Sequence, residues 1–438
     1  MAQQSANTVS GKTVPDKSIS DIVAGLNAHL DGLNTHFVGR RAMLELILLG
    51  LIMNEHVLLI GPPGTGKSAA VQAVASGLKA NSFEYLIGRF TEPSELFGGL
   101  DLNALKDGRI QPVTSGMLPE ADIAFLDEIF LGSTAILNSL LKILNERTYQ
   151  RGQFSMKTPL ISCIAASNHL PDEPLLAAFA DRFMLTMFVE PVGEEQLGEL
   201  LDVGWQQFAD AADAKKPKQK TMPKTVITKL HKASLKVDLS GVKDSYAHIM
   251  RKLRLLGVPL SDRKIIKGQK AIAAAALLRG TMKAGLEDLW PVTYLIQDQA
   301  RQGEASELLQ EELKHSHNPI LTESAVEASY GITAHAARLT AGGETLLAAK
   351  PALTTDQAYE IWLVRLETLL MQIDAAFDAD NLPQTLRLLR TSISSHLDGT
   401  HMANTKAANE DITNEDNEQF TPDTSSTPSK PLPWGPRD

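Results

Sequence analysis

Gly61-Pro62-Pro63-Gly64-Thr65-Gly66-Lys67-Ser68 fills every fixed position of the pattern G-x-x-x-x-G-K-[ST]. The apolar run His56-Val57-Leu58-Leu59-Ile60 before it reads as a buried strand. Ser68-Ala69-Ala70-Val71-Gln72-Ala73-Val74-Ala75 after it opens a helix. The glycines let the chain curl so that successive amides point inward at a phosphate. The helix N-terminus adds positive dipole, and Lys67 reaches toward β- and γ-phosphates. Ser68 then offers its hydroxyl to Mg²⁺. A glycine-rich turn without a ligand is the alternative, and the strand before and helix after weigh against it.

The other half of such a site is a carboxylate at the end of a second buried strand, and Asp122-Ile123-Ala124-Phe125-Leu126-Asp127-Glu128 supplies one. Open α/β sheets bind ligands at the carboxyl ends of their strands, so Asp127 is placed to hold a metal through its waters. Glu128 is placed to polarise a water for attack on a γ-phosphate. An isolated Asp-Glu pair reads equally well as charge at a helix N-terminus. Its place downstream of the phosphate loop favours the site.

Working outward, apolar runs at Val57 to Ile60, Phe83 to Ile87, Ile123 to Leu126, Leu160 to Ala166 and Met184 to Val189 alternate with helical or loop segments. That alternation predicts an α/β fold: a parallel five-stranded sheet with helices on both faces, occupying residues 21–190 behind a flexible segment 1–20. Near Glu190-Pro191-Val192-Gly193 the texture changes. Residues 191–300 carry helical spacing rich in Ala and Leu, with a loop at 211–222. A helical extension follows at 301–398. Its stripe of Trp362, Leu366, Leu369, Leu370, Ile373 and Phe377 continues on a second helix as Leu382, Leu386, Leu389 and Ile393. The stripe either closes on itself or the body of the protein, or meets a partner. Residues 399–438, polar, acidic and finally Pro-rich, read as a disordered tail.

The 438 residues exceed one typical domain, and 43% hydrophobic content suffices for a core. No apolar run reaches membrane-spanning length, and Leu44 to Met53, the most apolar stretch, is too short. With no basic-then-apolar leader, a cytoplasmic location is expected. The single cysteine, Cys163, sits in an apolar run and reads as core. A net charge of −10 argues against a general nucleic-acid binder. The basic run Lys215-Lys216-Pro217-Lys218-Gln219-Lys220 has no interleaved aromatics and reads as an exposed connection.

Further stretches agree in order with one family. They are Phe83 through Gly98, Leu105 to Arg109, Thr114 to Ala121, the acidic strand, and Leu137 through Arg147. Over residues 35–300 the chain resembles AAA+ ATPases of the MoxR group, within it the RavA-type proteins. Residues 300–350 give no sign of the β-rich insertion that subgroup carries. The resemblance implies that Asn168, ending the fourth strand, hydrogen-bonds the attacking water. It implies that Arg182 is an arginine finger facing a neighbouring subunit, with Arg147 and Arg151 in reserve. Arg182 pairing with Asp181 inside the chain is the rival reading. A guanidinium suits the finger because it stays charged and bridges phosphate oxygens. Arg263 corresponds to a second sensor folding over the nucleotide of its own subunit. Val38 and Gly39 correspond to the adenine contact, and residues 98–118 to an insert in the core's second helix.

The function so implied is ATP hydrolysis with Mg²⁺ in a ring, hexameric by resemblance, coupled to chaperone-like remodelling of a protein client with a von Willebrand A-domain partner. Pro62, Pro63, Gly64, Thr65 and Gly66 complete the nucleotide contacts. Two alternatives are a nucleic-acid-dependent motor and a nucleotide-binding scaffold without turnover. The acidic balance counts against the first, and the presence of both Glu128 and Arg182 against the second.

Overall fold

The computed structural model describes residues 17–171, 173–212, 221–351, 357–377 and 382–397. Residues 1–16 of the expected N-terminal segment, the basic run 215–220, the 378–381 break and the 399–438 tail lie outside them.

The five expected strands form one parallel sheet: β1 (Val57–Ile60), β2 (Ser82–Leu86), β3 (Ile123–Asp127), and two later strands numbered after an intervening hairpin. That hairpin is β4 (Thr148–Arg151) with β5 (Phe154–Lys157); then come β6 (Ser162–Ser167) and β7 (Leu185–Phe188). The sheet order is β2-β3-β6-β1-β7, with Ile60 beside Ser167 and Leu126 beside Ala165. Strand alternation divides the side chains between two cores. Val57, Leu59, Phe125 and Ile164 face one, and Leu58, Ile60, Leu126 and Cys163 face the other. Cys163 is buried, and desolvation pushes its thiol up to about 12, as suits a core filler.

Helices α1 (Lys17–Asn34), α2 (Arg41–Met53) and α3 (Lys67–Gly77) cover the first face. The apolar Leu44–Met53 stretch is α2, buried from Met43 to Met53. On the second face lie α4 (Pro93–Phe97), α6 (Thr134–Glu146) and α7 (Pro174–Ala180), all contributing to its core, while α5 (Leu102–Lys106) lies between α4 and β3 in sequence. Residues 191–300 carry α8 (Leu197–Ala212), α9 (Thr225–Ser234), α10 (Lys243–Leu255) and α11 (Asp262–Leu278), and no strand among the described residues. Side chains of α9, α10 and α11 join the first-face core. The chain divides into two compact units at Arg338/Leu339.

The expected insert leaves α4 at Gly98. Leu100 and Pro112 pair as an antiparallel bridge around α5. Its stem is fixed: Tyr149 of β4 stacks on Phe97 with ring centroids 5.4 Å apart, and Arg151 donates to Gly98 O at 2.9 Å. The sequence reading missed the β4–β5 hairpin. Its two-residue Gly152-Gln153 turn and alternating Tyr149, Phe154 and Met156 were the available signals.

After α12 (Gln299–Leu308), α13 (Gln310–Leu313) and α14 (Thr322–Ala348), the second unit holds the end of α14, α15 (Gln357–Ala376) and α16 (384–397). Trp362, Leu366, Leu369, Ile373 and Phe377 are buried, as are Leu382, Leu386, Leu389 and Ile393. Trp362 Nε1 donates to Leu346 O at 2.7 Å, and Arg390 forks onto Asp374 at 2.7 and 3.1 Å. The two stripes are thus covered.

At the end of β1, Gly61 donates to Ser167 O, and a Cβ there would lie 2.1 Å from Val189 O. Backbone cannot yield cheaply, so Gly61→Ala is expected to lose about 1–3 kcal/mol of stability. Denaturant unfolding checks this, and an unchanged midpoint would show that the strand ends adapt.

Candidate functional site

The carboxyl edge of the sheet collects the ends of β1, β3 and β6. Gly64 and Gly66 both adopt φ of 80°, the left-handed region that glycine enters without strain. Gly66 is also the N-cap of α3, so no cap side chain occupies the first-turn amides. Lys67 is buried, and its Nζ donates to Gly61 O and Pro62 O, each at 2.8 Å, and to Thr65 Oγ1 at 3.3 Å. Burial lowers its ammonium from the ordinary value, while Asp127 and Glu128 nearby favour the charge and Arg40 opposes it.

Beside this loop, Glu128 follows β3 in a left-handed conformation with φ 51°. That conformation is uncommon for a residue with a Cβ, and it turns the side chain away from the strand path. Asn168 Nδ2 donates to Glu128 Oε1 at 2.6 Å, across the β3–β6 pairing. Asp127 Oδ1 accepts from the Glu128 amide at 3.0 Å. Lys67, Asp127, Glu128 and Asn168 are therefore brought together. Val38 is buried and Gly39 is exposed next to Gln196, whose Oε1 fills the space a Cβ would take. Arg40, next in the chain, donates from Nε to Thr65 O at 2.8 Å and braces the loop.

This arrangement fits the phosphates of a nucleotide, with uncapped amides, a buried ammonium and adjacent carboxylates. Among the described residues no cluster of three His, Cys, Asp or Glu side chains is suited to a metal. A magnesium ion at Ser68 and Asp127 would thus take its remaining ligands from phosphate oxygens and water.

Arg182 lies elsewhere. It precedes β7, and Met184 N donates to His56 O just ahead of β1, which fixes this segment at the amino edge of the sheet. The four residues of β7 separate the two edges, a span on the order of 10 Å. Arg182 Nη1 stands 3.5 Å from Asp181 Oδ2, the intramolecular contact foreseen as the rival reading. Arg263 departs from expectation. It donates to Asn145 near the C-terminus of α6, and its charge acts on His56, so it sits at the amino edge and not over the phosphate loop of its own chain. The cause is the packing of α11 against α2 and α9, which points its first turn at α7.

Both reserve arginines make contacts within their own chain. Arg147 is the half-buried C-cap of α6, where its guanidinium donates to Leu144 O at 2.8 Å, Asn54 O at 2.9 Å and Ile161 O at 3.2 Å, and contacts His56. Burial, followed by the Arg147 charge, drives the His56 imidazole well below its ordinary value, so it stays neutral. Arg151 holds the stem of the insert, as described above.

Residues 24–232 match the family model described as "MoxR domain in the MoxR-vWA-beta-propeller ternary systems". The uncharacterized protein MJ0812 of Methanocaldococcus jannaschii is 41% identical over 264 residues, spanning 59% of this chain and 67% of that protein. Chaperone MoxR1 of Mycobacterium tuberculosis is 27% identical over 37% of this chain and 44% of its own length. A crystal structure of a proposed ATPase from Cytophaga hutchinsonii aligns with a TM-score of 0.53 at 18% identity. It covers 69% of this chain and 97% of that one, a likeness of fold.

Because three partly buried carbonyls depend on Arg147, Arg147→Met should behave as a stability lesion. A loss of about 3 kcal/mol or more is expected from uncompensated charge-assisted hydrogen bonds. Thermal unfolding beside ATP turnover checks it. Slow turnover in a protein of unaltered stability would restore Arg147 as a finger candidate.

Proposed function

Because the chain belongs to the MoxR family of AAA+ ATPases, we propose that it hydrolyses ATP in pockets completed between neighbouring copies of a ring. The observation that carries this reading is the division of chemistry between the two edges of the sheet. Lys67, Ser68, Asp127, Glu128 and Asn168 gather at the carboxyl edge, while Arg182 stands at the amino edge of the same chain. A second copy brings the two together.

In this reading Glu128, held by Asn168, accepts a proton from the attacking water, and Lys67 binds phosphate oxygens. Magnesium, when bound at Ser68 and Asp127, supplies charge neutralisation for the β- and γ-phosphate oxygens. Arg182 of the neighbour stabilises charge developing on the transferred group. Arg263 joins it on the neighbour's side, since both leave from the amino edge. Val38, Gly39 and the rest of the Gly61–Ser68 loop hold the nucleotide.

Hydrolysis removes the phosphate contacts on which these groups converge, and the change in contact between copies drives the work. The client is a protein complex, in keeping with the chaperone name of MoxR1. The partner is a von Willebrand A-domain protein, supported by the ternary systems that the family description names. A hexameric, cytosolic ring belongs to the same proposal. The RavA-type reading rests on motif order within residues 35–300, while residues 301–351 are helix and loop without a strand.

Two outcomes are expected. Lys67→Ala should abolish nucleotide binding, whereas Glu128→Gln should bind ATP and lose roughly 10²–10⁴-fold in turnover. Parental turnover by Glu128→Gln, read as released phosphate, would remove the base. Arg182→Ala should bind ATP yet turn over about 10³-fold more slowly. Mixing it with Lys67→Ala protein should restore activity at interfaces joining an intact pocket to an intact finger. Co-assembled mixtures without recovery would refute a shared site.

A further inference from the structure

Asp181 has so far figured only as a neighbour of Arg182, yet it is the point where two elements of the amino edge meet. Its carboxylate accepts from Ser261 Oγ at 3.1 and 3.4 Å, stands 3.5 Å from Arg182 Nη1, and lies 3.9 Å from Lys264 Nζ. Ser261 is the N-cap of α11, its hydroxyl accepting from the Lys264 amide. Arg263 belongs to the same turn. Arg182 Nε is buried with no hydrogen-bond partner among the described residues, so Asp181 is the anion that restrains this guanidinium.

We propose that Asp181 is a positioning residue that locks Arg182 and the Arg263-bearing first turn of α11 into one constellation, presented together to the pocket of a neighbouring copy. The proposal rests on the reading that Arg182 acts in trans.

The physical case is one of shared charge. A single carboxylate with two cations and a hydroxyl around it is stabilised by each, and each is oriented by it. Lys264 contributes a second reason for the arrangement. Its side chain is 2% exposed, and burial pushes its ammonium down to about 8 while Asp181 favours the charged form. Tilting α11 therefore changes what surrounds Asp181, and with it the restraint on Arg182. ATP turnover at one interface becomes sensitive to the seating of α11 in the chain that supplies the finger.

The test uses the full-length protein, assembled and saturated with ATP and magnesium. Asp181→Asn keeps an acceptor for Ser261 but removes the charge that Arg182 and Lys264 face. It is expected to lower kcat by roughly 10-fold or more, with nucleotide affinity unchanged. Added to Arg182→Ala it should cost clearly less than its full factor, because one of the two arginines it positions is already gone. Asp181→Glu should recover part of the rate. Full multiplication of the Asp181→Asn and Arg182→Ala losses, or an unchanged kcat in Asp181→Asn, would overturn the proposal. A merely structural role would show as a lowered melting temperature with the two losses multiplying. Failure of the trans reading is separate, since it appears as mixed Arg182→Ala and Lys67→Ala rings that recover nothing, whereas the coupling is read in uniform rings.

Discussion

Parallel pairing of β6 between β1 and β3 is the constraint on which the rest of the molecule depends. Parallel strands all end on the same edge, so whatever follows β1, β3 and β6 must meet there. The loop after β1 curls into phosphate-binding form, Glu128 turns out of β3, and Asn168 leaves β6 within hydrogen-bond reach of it. By the same geometry, whatever precedes a strand gathers at the far edge. His56, Arg147, Asp181, Arg182 and the first turn of α11 are found together there.

The amino edge is built by polar contacts that hold the helical segment on the sheet. Glu55 accepts from Lys267 and Lys270, each at 2.6 Å, and is nearly buried. Breaking such a pair leaves a carboxylate stranded in low dielectric, which is why both lysines matter to one acid. Together with the Ser261 and Lys264 contacts to Asp181, these bonds run along one face of α11 at steps of three residues. Above them α11 buries Ala271 through Leu278 in the same core as α2 and β1. This helix is thus continuous in packing with the nucleotide-binding sheet.

Legibility differed by the range of the interaction. The phosphate loop, the acidic strand end and all five sheet strands were readable because their signals are local: apolar runs, glycine spacing, a lysine beside a serine. The β4–β5 hairpin went unread because Tyr149, Phe154 and Met156 lie half among polar residues, and their burial depends on Phe97 from a distant segment. Arg147 looked like a candidate for chemistry because sequence shows its charge and not the three carbonyls of Asn54, Leu144 and Ile161 that bind it.

The apolar stripes of α15 and α16 were legible as stripes, and that they are covered was not. By itself the sequence determined the parallel α/β core, the phosphate loop with Lys67 and Ser68, and the acidic end of β3, since each is written within a dozen residues by backbone geometry and hydrophobic period. Only the tertiary structure decided that Arg263 sits with Arg182 at the amino edge, that Arg147 and Arg151 bind carbonyls of their own chain, and that Arg40 braces the loop. The reason is that a guanidinium on a long side chain takes its role from whichever carbonyl or carboxylate the fold brings within about 3 Å, and that neighbour is chosen by packing between segments far apart in the chain.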